Sequence, residues 1–494
     1  MSVEKEGPTN SISSVEEAQK TEKLFDYGGD STLPPPPTLT PEQERKLWWK
    51  VDLRLMPILT IMYLVSFLDR GNAKLQGLVT QLNLKGNEYN IALTMYFIPY
   101  CIFECPANLV LKKFRPSRWL PGITLVWGII MTMMGLVKTY PQLVGVRVLL
   151  GVAEAGLFPG VSYYLTLWYP RHQLQMRIGL FFGAASLAGA FSGLLAYGIS
   201  FMSGTRGYLG WSWIFILEGI GTVCVGFVAF FILVDFPATA KFLTPEERSF
   251  IVHKKRFDNS SVGEEEHFES RHFIAAMTDW QVWIHILIYM SVIGPLYGIT
   301  LFLPFGFPPA ISQLLTVPPY VCATLNLYIW AYLSDKMKKR SPFILLGLVC
   351  CLIGYCINIS NVSSGVKYFG TFWVVTGSYA AFPGVVAWLG NNLGGQYKRG
   401  IGMAVQIGIG NFSGAIASNI YRAQDSPRFI LGHALEMMFV GIGFVCVPTT
   451  VIAYTIINKK REKIMQEMTA RGEKLAPEEI RRMGDRSPDF RYVL

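Results

Sequence analysis

The chain has 494 residues, 51% of them apolar, 14% aromatic and 16% charged, where an average soluble domain carries roughly 25% charged residues. The net charge of +10 would suit a nucleic-acid partner on a soluble protein, but here the apolar residues gather into blocks of about 20, the length of a membrane-spanning helix. Composition therefore excludes an ordinary soluble protein and gives no nucleic-acid role to the basic excess, which the positive-inside rule explains. It predicts a polytopic, all-α membrane protein lodged in the lipid bilayer.

Residues 1–38 are polar, include the tract Pro34 to Pro37, and read as a disordered cytosolic tail without a cleavable signal. Thr40-Pro41-Glu42-Gln43 then offers an N-cap, a proline at the first helical position and a reciprocal cap three residues on. An N-terminal six-helix bundle, residues 39–234, is predicted with spans near 51–71, 89–111, 119–137, 141–166, 177–200 and 211–234. Residues 235–280 form a charged cytosolic central loop, in which Thr244-Pro245-Glu246-Glu247 repeats the same helix-start signal. A C-terminal six-helix bundle, residues 281–457, follows with spans near 281–304, 310–333, 343–360, 367–389, 399–421 and 431–457. Prolines crowd the link between the first two of these, LFLPFGFPPAISQLLTVPPYV. Residues 458–494 are expected to be a cytosolic C-terminal tail.

Basic residues favour one set of connections: Lys112, Lys113, Arg115 and Arg118; Arg171 and Arg177; Lys336, Lys338, Lys339 and Arg340; Lys398 and Arg399. The asymmetry predicts both termini in the cytoplasm. The sequons at Asn358 and Asn361 fall where the ninth span emerges on the opposite side. All eight cysteines lie in spans and read as small packing residues, and the six histidines lack metal-ligand spacing. No metal site and no cofactor are predicted. No phosphate-cradling glycine loop or nucleophile elbow is present, so an enzyme is not expected.

The halves echo each other. Phe158-Pro159-Gly160-Val161 in the fourth span returns as Phe382-Pro383-Gly384-Val385 in the tenth. Gly189-Ala190-Phe191-Ser192-Gly193 in the fifth returns as Gly410-Asn411-Phe412-Ser413-Gly414 in the eleventh. Two matches in register argue for a parallel repeat of six helices, the plan of transporters that rock about a site at mid-membrane. Helix packing by small residues explains the same motifs.

Ionisable residues within the spans concentrate in the first half: Asp69 and Arg70, Glu104, Arg147, Glu154 and Glu218. The second half has His285, His433 and Glu436. Such groups are expensive in lipid and are expected to face the bundle interior. Arg147 and Glu154, seven residues apart, share a helix face about 10 Å apart along the axis, too far for a direct pair. Two readings fit. In one, Arg147 pairs with Asp69 or a backbone carbonyl and ties two helices. In the other, Arg147 or Arg70 attracts a carboxylate substrate while Glu154, with Asp69, Glu104 and Glu218 as further candidates, exchanges protons. Tyr297, Trp330 and Trp388, with Asn391, Gln406 and Asn411, are candidates for the flat walls and sparse hydrogen bonds of a small-molecule site. Ordinary core packing serves as the other reading of each.

SFLDR at Ser66–Arg70, RVLLGVAEAGLFPGVSYYLTLWYPR from Arg147, WSWIFILEG from Trp211 and QLLTVPPYV from Gln313 resemble the fungal allantoate and nicotinate permeases. These form part of the anion:cation symporter branch of the major facilitator superfamily, and the resemblance runs from about Lys46 to Arg461. It implies the major facilitator fold, twelve transmembrane helices in two six-helix bundles. The loop from Tyr332 to Arg340 resembles the superfamily's gating loop, which implies latch roles for Asp335 and Arg340. Arg147 and Gly151 match the RxxxG pattern of the fourth helix.

The implied function is secondary active import of a small carboxylate, such as nicotinate, allantoate, pantothenate or biotin, with protons, across the fungal plasma membrane by a monomer. Export of a metabolite and a non-transporting nutrient receptor are the alternatives. The sequence departs from the family pattern where Arg70 directly abuts Gly71 and where the link Leu303–Ser312 is short.

Overall fold

Thr40 starts the first helix by reciprocal capping: its Oγ1 accepts from the Gln43 N–H at 3.4 Å, and Gln43 Oε1 accepts from the Thr40 N–H at 2.9 Å. The same box recurs at Thr244 and Glu247, at 3.2 and 2.9 Å. The computed structural model describes residues 37–68, 77–258, 270–301, 309–421, 425, 428–471 and 483–494. Asp69 and Arg70 lie outside the described residues.

The first half holds α1 (Pro41–Leu68), the short α2 (Leu78–Gln81), α3 (Glu88–Lys113), α4 (Pro116–Met134), α5 (Tyr140–Glu154), α6 (Leu157–Trp168), α7 (Arg171–Ser200) and α8 (Gly210–Ile232). Two helices, α9 (Pro245–Asp258) and α10 (Ser270–Met277), belong to the connection. The second half holds α11 (Trp280–Leu301), α12 (Pro309–Met337), α13 (Ser341–Ile359), α14 (Ser364–Asn392), α15 (Gln396–Gly410), α16 (Phe412–Ile420) and α17 (Ile430–Ala470). Among the described residues, ten helical stretches are long and apolar enough to cross a membrane; α3 and α4 run beside them. The pairs α5–α6 and α15–α16 are each one span interrupted near its middle.

Each half packs on itself, α3 on α5 and α4 on α8 in the first, α13 on α14 and α11 on α17 in the second. The halves meet along two seams. One joins α7 to α12 and α14, the other α3 to α15 and α16. The first seam is close because Gly183 and Gly189 present bare backbone to the rings of Tyr328 and Tyr320. Large apolar side chains such as Phe231 and Val445 stay exposed on the outward faces, as expected where the surrounding solvent is lipid.

At the end carrying the basic connections, α9 is cross-linked to α1 by Lys50–Glu247 at 2.7 Å and by Lys254–Glu44. Residues 483–494 pack against the second half at this same end. The Val493 carbonyl accepts from Trp388 Nε1 at 2.8 Å and Asn392 Nδ2 at 3.0 Å, and the Leu494 main-chain oxygen accepts from the Arg340 N–H at 2.6 Å. Asn458 exchanges two hydrogen bonds with the Tyr492 backbone, and the Arg461 guanidinium stacks over the Tyr492 ring at 4.5 Å. Burial pushes the Tyr492 phenol up to about 12, so it remains a neutral partner for Gln281 and Arg461 across physiological pH.

Candidate functional site

The two interrupted spans converge between the halves. In the first half α5 ends at Glu154, and Ala155–Gly156 separate it from α6. In the second, Asn411 stands alone between α15 and α16. Glu154 and Asn411 both line a cavity between the halves. Breaks of this kind place polar groups in the middle of a membrane protein only where they face a cavity or are buried in protein.

Aromatic rings form the rest of the wall. Phe158, the first residue of one FPGV repeat, faces Phe382, the first of the other, with ring centroids 5.6 Å apart. Phe182 packs on Phe382 at 4.2 Å, and Tyr289 meets Phe382 edge-on at 5.3 Å. Tyr63, Tyr100 and Tyr297 also line the space. The volume left is about 20 Å³, enough for about one water molecule and far below the ~300–1,000 Å³ of a small-molecule site. This is a closed state.

The polar groups are held from behind. Gly151 lies against the main chain of Tyr96 and the Pro99 ring. That close approach of α5 to α3 brings Tyr96 Oη to Glu154 Oε2, to which it donates at 2.6 Å. Tyr289 Oη donates to Asn411 Oδ1 at 3.1 Å, and Asn411 Nδ2 donates across the seam to Glu104 Oε2 at 3.4 Å. Arg147 is buried, with its guanidinium 5.7 Å from the Phe215 ring centroid, and makes no ion pair among the described residues.

Polar contacts join the halves at both ends. At the basic end Asp335 binds Arg340 at 2.6 Å and accepts from the Met176 N–H at 2.8 Å, while Gln175 Oε1 accepts from Arg340 Nη1 and Ser334 Oγ at 2.6 and 2.7 Å. Gln175 and Met176 belong to α7, so this latch joins the halves. At the other end Thr94 Oγ1 lies 3.1 Å from Ser418 Oγ and accepts from Asn419 Nδ2 at 2.8 Å.

The sequence-predicted residues thus divide. Glu154, Asn411 and Tyr297 meet at the cavity, with Glu104 one hydrogen bond behind. Trp388, Asn391 and Gln406 do not line it. They sit toward the basic end, where Gln406 Nε2 donates to the His285 carbonyl at 3.3 Å and the Trp388 ring meets His285 at 4.8 Å. Trp330 packs on Phe343 at 6.5 Å and Glu218 is buried in α8, both away from the lining. Sequence reasoning did not single out Tyr96, Tyr100, Tyr289, Phe158 or Phe382 as site residues. For the two phenylalanines the in-register repeat was the available signal.

The profile of the Major Facilitator Superfamily matches residues 59–418, a stretch that contains the cavity, both breaks and the latch. The chain belongs to the major facilitator superfamily. This major facilitator protein is 33% identical to an uncharacterized transporter of Schizosaccharomyces pombe, over 95% of its own length and 93% of that protein's. It is 32% identical to the MFS-type transporter cnsO of Penicillium expansum, over 91% and 90%. To the high-affinity nicotinic acid transporter of Saccharomyces cerevisiae it is 31% identical, over 92% and 86%.

Among solved structures, the proton:xylose symporter XylE aligns with a TM-score of 0.65 at 14% identity, covering 81% of this chain and 94% of that one. A bacterial homolog of the human lysosomal transporter Spinster, inward-facing and occupied, aligns at 0.55 and 14%, covering 84% and 97%. At such identities these structures establish the fold, which is the all-α major facilitator fold. The protein is a multi-pass membrane transporter of the secondary type.

Proposed function

We propose that this major facilitator protein imports a small, flat carboxylate of the nicotinate type together with protons, by alternating access across the plasma membrane, with both termini in the cytoplasm. The observation that carries the reading is the meeting of two helix breaks, Glu154 in one half and Asn411 in the other, at one closed cavity walled by aromatic rings. Rings from both halves suit stacking on an aromatic acid, and Asn411 with the tyrosine hydroxyls supplies hydrogen bonds of fixed direction.

Arg147 lies two turns along α5 from Glu154, about 10 Å away on nearly the same face. In this reading it draws the substrate carboxylate, with Arg70 assisting from the end of the first span, and Asp69 serves the proton path. Glu154 carries the proton, with Tyr96 keeping the carboxyl oriented in both charge states. The nicotinic acid transporter among the relatives supports the substrate class, and the basic connections support the orientation. Alternation then consists of releasing the Asp335–Arg340–Gln175 latch while the Thr94–Ser418–Asn419 seam holds, and the reverse.

Uptake by cells lacking their own permeases tests this, with labelled nicotinate, allantoate, pantothenate and biotin at acidic and neutral external pH, with and without a protonophore. Expected is uptake driven by acidic external pH and collapsed by the protonophore. Glu154→Gln and Arg147→Ala are each expected to abolish it at normal surface abundance. Uptake indifferent to the proton gradient refutes symport, and retained uptake in Arg147→Ala removes that residue from the site.

A further inference from the structure

Glu436 has no part in the cavity. It lies two turns into α17 and is fully buried, and neither carboxyl oxygen has a hydrogen-bond partner among the described residues. The carboxyl fits only because α11 turns glycine toward it: both Gly294 and Gly298 lie within contact distance of it, and a side chain at Gly298 would occupy its place. The titratable groups around it are Cys351 and Tyr355 from α13 and Tyr421 following α16. On its own helix His433 stands one turn closer to the N-terminus of α17, half-buried, with Nδ1 3.2 Å from Tyr421 Oη. Lys367 of α14 faces His433 in turn. Tyr355 spends its hydroxyl on the Pro295 carbonyl at 3.0 Å.

Among the described residues an ionised carboxylate in this place meets no donor or cation, and burying a charge unpaired is costly. The neutral acid is a far smaller burden. The packing of α11 on α17 seen here is therefore one that a proton stabilises. Tyr297, next in chain to Gly298, lines the cavity on the other side of α11, so a shift of this helix moves the cavity wall.

We propose that Glu436 is a second proton-binding site, in the C-terminal half, whose neutral form lets α11 close against α17 and whose ionised form admits water and opens the external side of the cavity. The proposal rests on the proton-symport reading for its direction. Protons arriving from outside through His433 close the external side, the step that must follow loading in an importer. Loss of the proton reopens it.

The test reads the conformation without substrate, so its failure is separable from that of the uptake reading. Ile293, on the cavity wall and 3% exposed, is changed to cysteine in the full chain, and a membrane-impermeant maleimide is applied to intact cells, with the unchanged chain as background. Labelling of Ile293→Cys is expected to rise several-fold as external pH goes from acidic to mildly alkaline. With Glu436→Gln added, it stays low at every pH. With Glu436→Asp, the rise returns. With Gly298→Ala, which wedges α11 away from the carboxyl, labelling is high even in acid. A rise that persists unchanged in Glu436→Gln overturns the proposal, as does a flat profile in the parent. Should Glu436→Gln fail to reach the surface, low labelling of Gly298→Ala in acid overturns it instead.

Discussion

Asn411 shows what a single side chain does at the seam. Its amide accepts from Tyr289 within its own half and donates to the fully buried Glu104 of the other. Asn411→Leu keeps the size but leaves that carboxyl without its donor, at a cost of about 1–3 kcal/mol. The expected result is a lower thermal midpoint for the purified protein, and a much smaller loss when Glu104→Gln is already present. Equal losses in the two backgrounds would mean that the residues are not coupled. Glu104, Glu154 and Asn411 were legible in the sequence because a polar group in an apolar span is costly and must be explained. The aromatic wall was not, because 14% of the chain is aromatic and one ring looks like another. The same polar criterion pointed to Asn391 and Gln406, and aromatic character to Trp388, but Gln406 donates to the His285 carbonyl and Trp388 to Val493, which serves the C-terminal segment. Residue type reveals that a partner is needed, and only the fold reveals which one.

At the scale of elements, hydropathy located the spans but passed over the breaks at Ala155–Gly156 and Asn411, since small residues and one amide barely lower the mean of a window. It also ended the last span near residue 457, whereas α17 continues to Ala470. Beyond the apolar stretch, the helix is carried by Lys, Arg, Glu and Met, all good helix formers. The RxxxG pattern gains a physical meaning from the α3–α5 crossing. A methyl group at Gly151 would run into the Tyr96 carbonyl and the Pro99 ring, which cannot swing aside as a flexible side chain does. Gly151→Ala is expected to cost about 1–3 kcal/mol and to reduce uptake sharply by drawing Tyr96 off Glu154. Gly145, one and a half turns earlier on the same helix, has nothing near it. Gly145→Ala should leave uptake intact and raise stability by up to about 1 kcal/mol. Comparing the two variants by uptake per surface molecule separates loss of helix contact from any general effect of alanine.

For the whole molecule, the in-register repeats already pointed to two like halves, yet nothing periodic in the sequence announces that residues 483–494 return to the second half. That contact is made of single long-range pairs. Lys398 binds Asp279 at 2.6 Å and Asp485 at 2.7 Å, with both carboxylates under 5% exposed, and Gln281 Nε2 donates to each of them. Arg461 donates to the Asp485 and Phe490 carbonyls, and the Leu494 oxygen reaches Arg340, a member of the latch between the halves. The segment is thus connected to the element that must open toward the cytoplasm in the proposed cycle. Lys398→Met would strand two buried carboxylates and is expected to cost about 3–5 kcal/mol. Asp485→Asn, which leaves Lys398 with Asp279, should cost about 1 kcal/mol. Thermal unfolding of the full chain gives the ranking, and limited proteolysis between residues 471 and 483 reports release of the segment, faster in Lys398→Met than in Asp485→Asn. Equal losses for the two substitutions would show that the charge balance at Lys398 does not hold the segment in place.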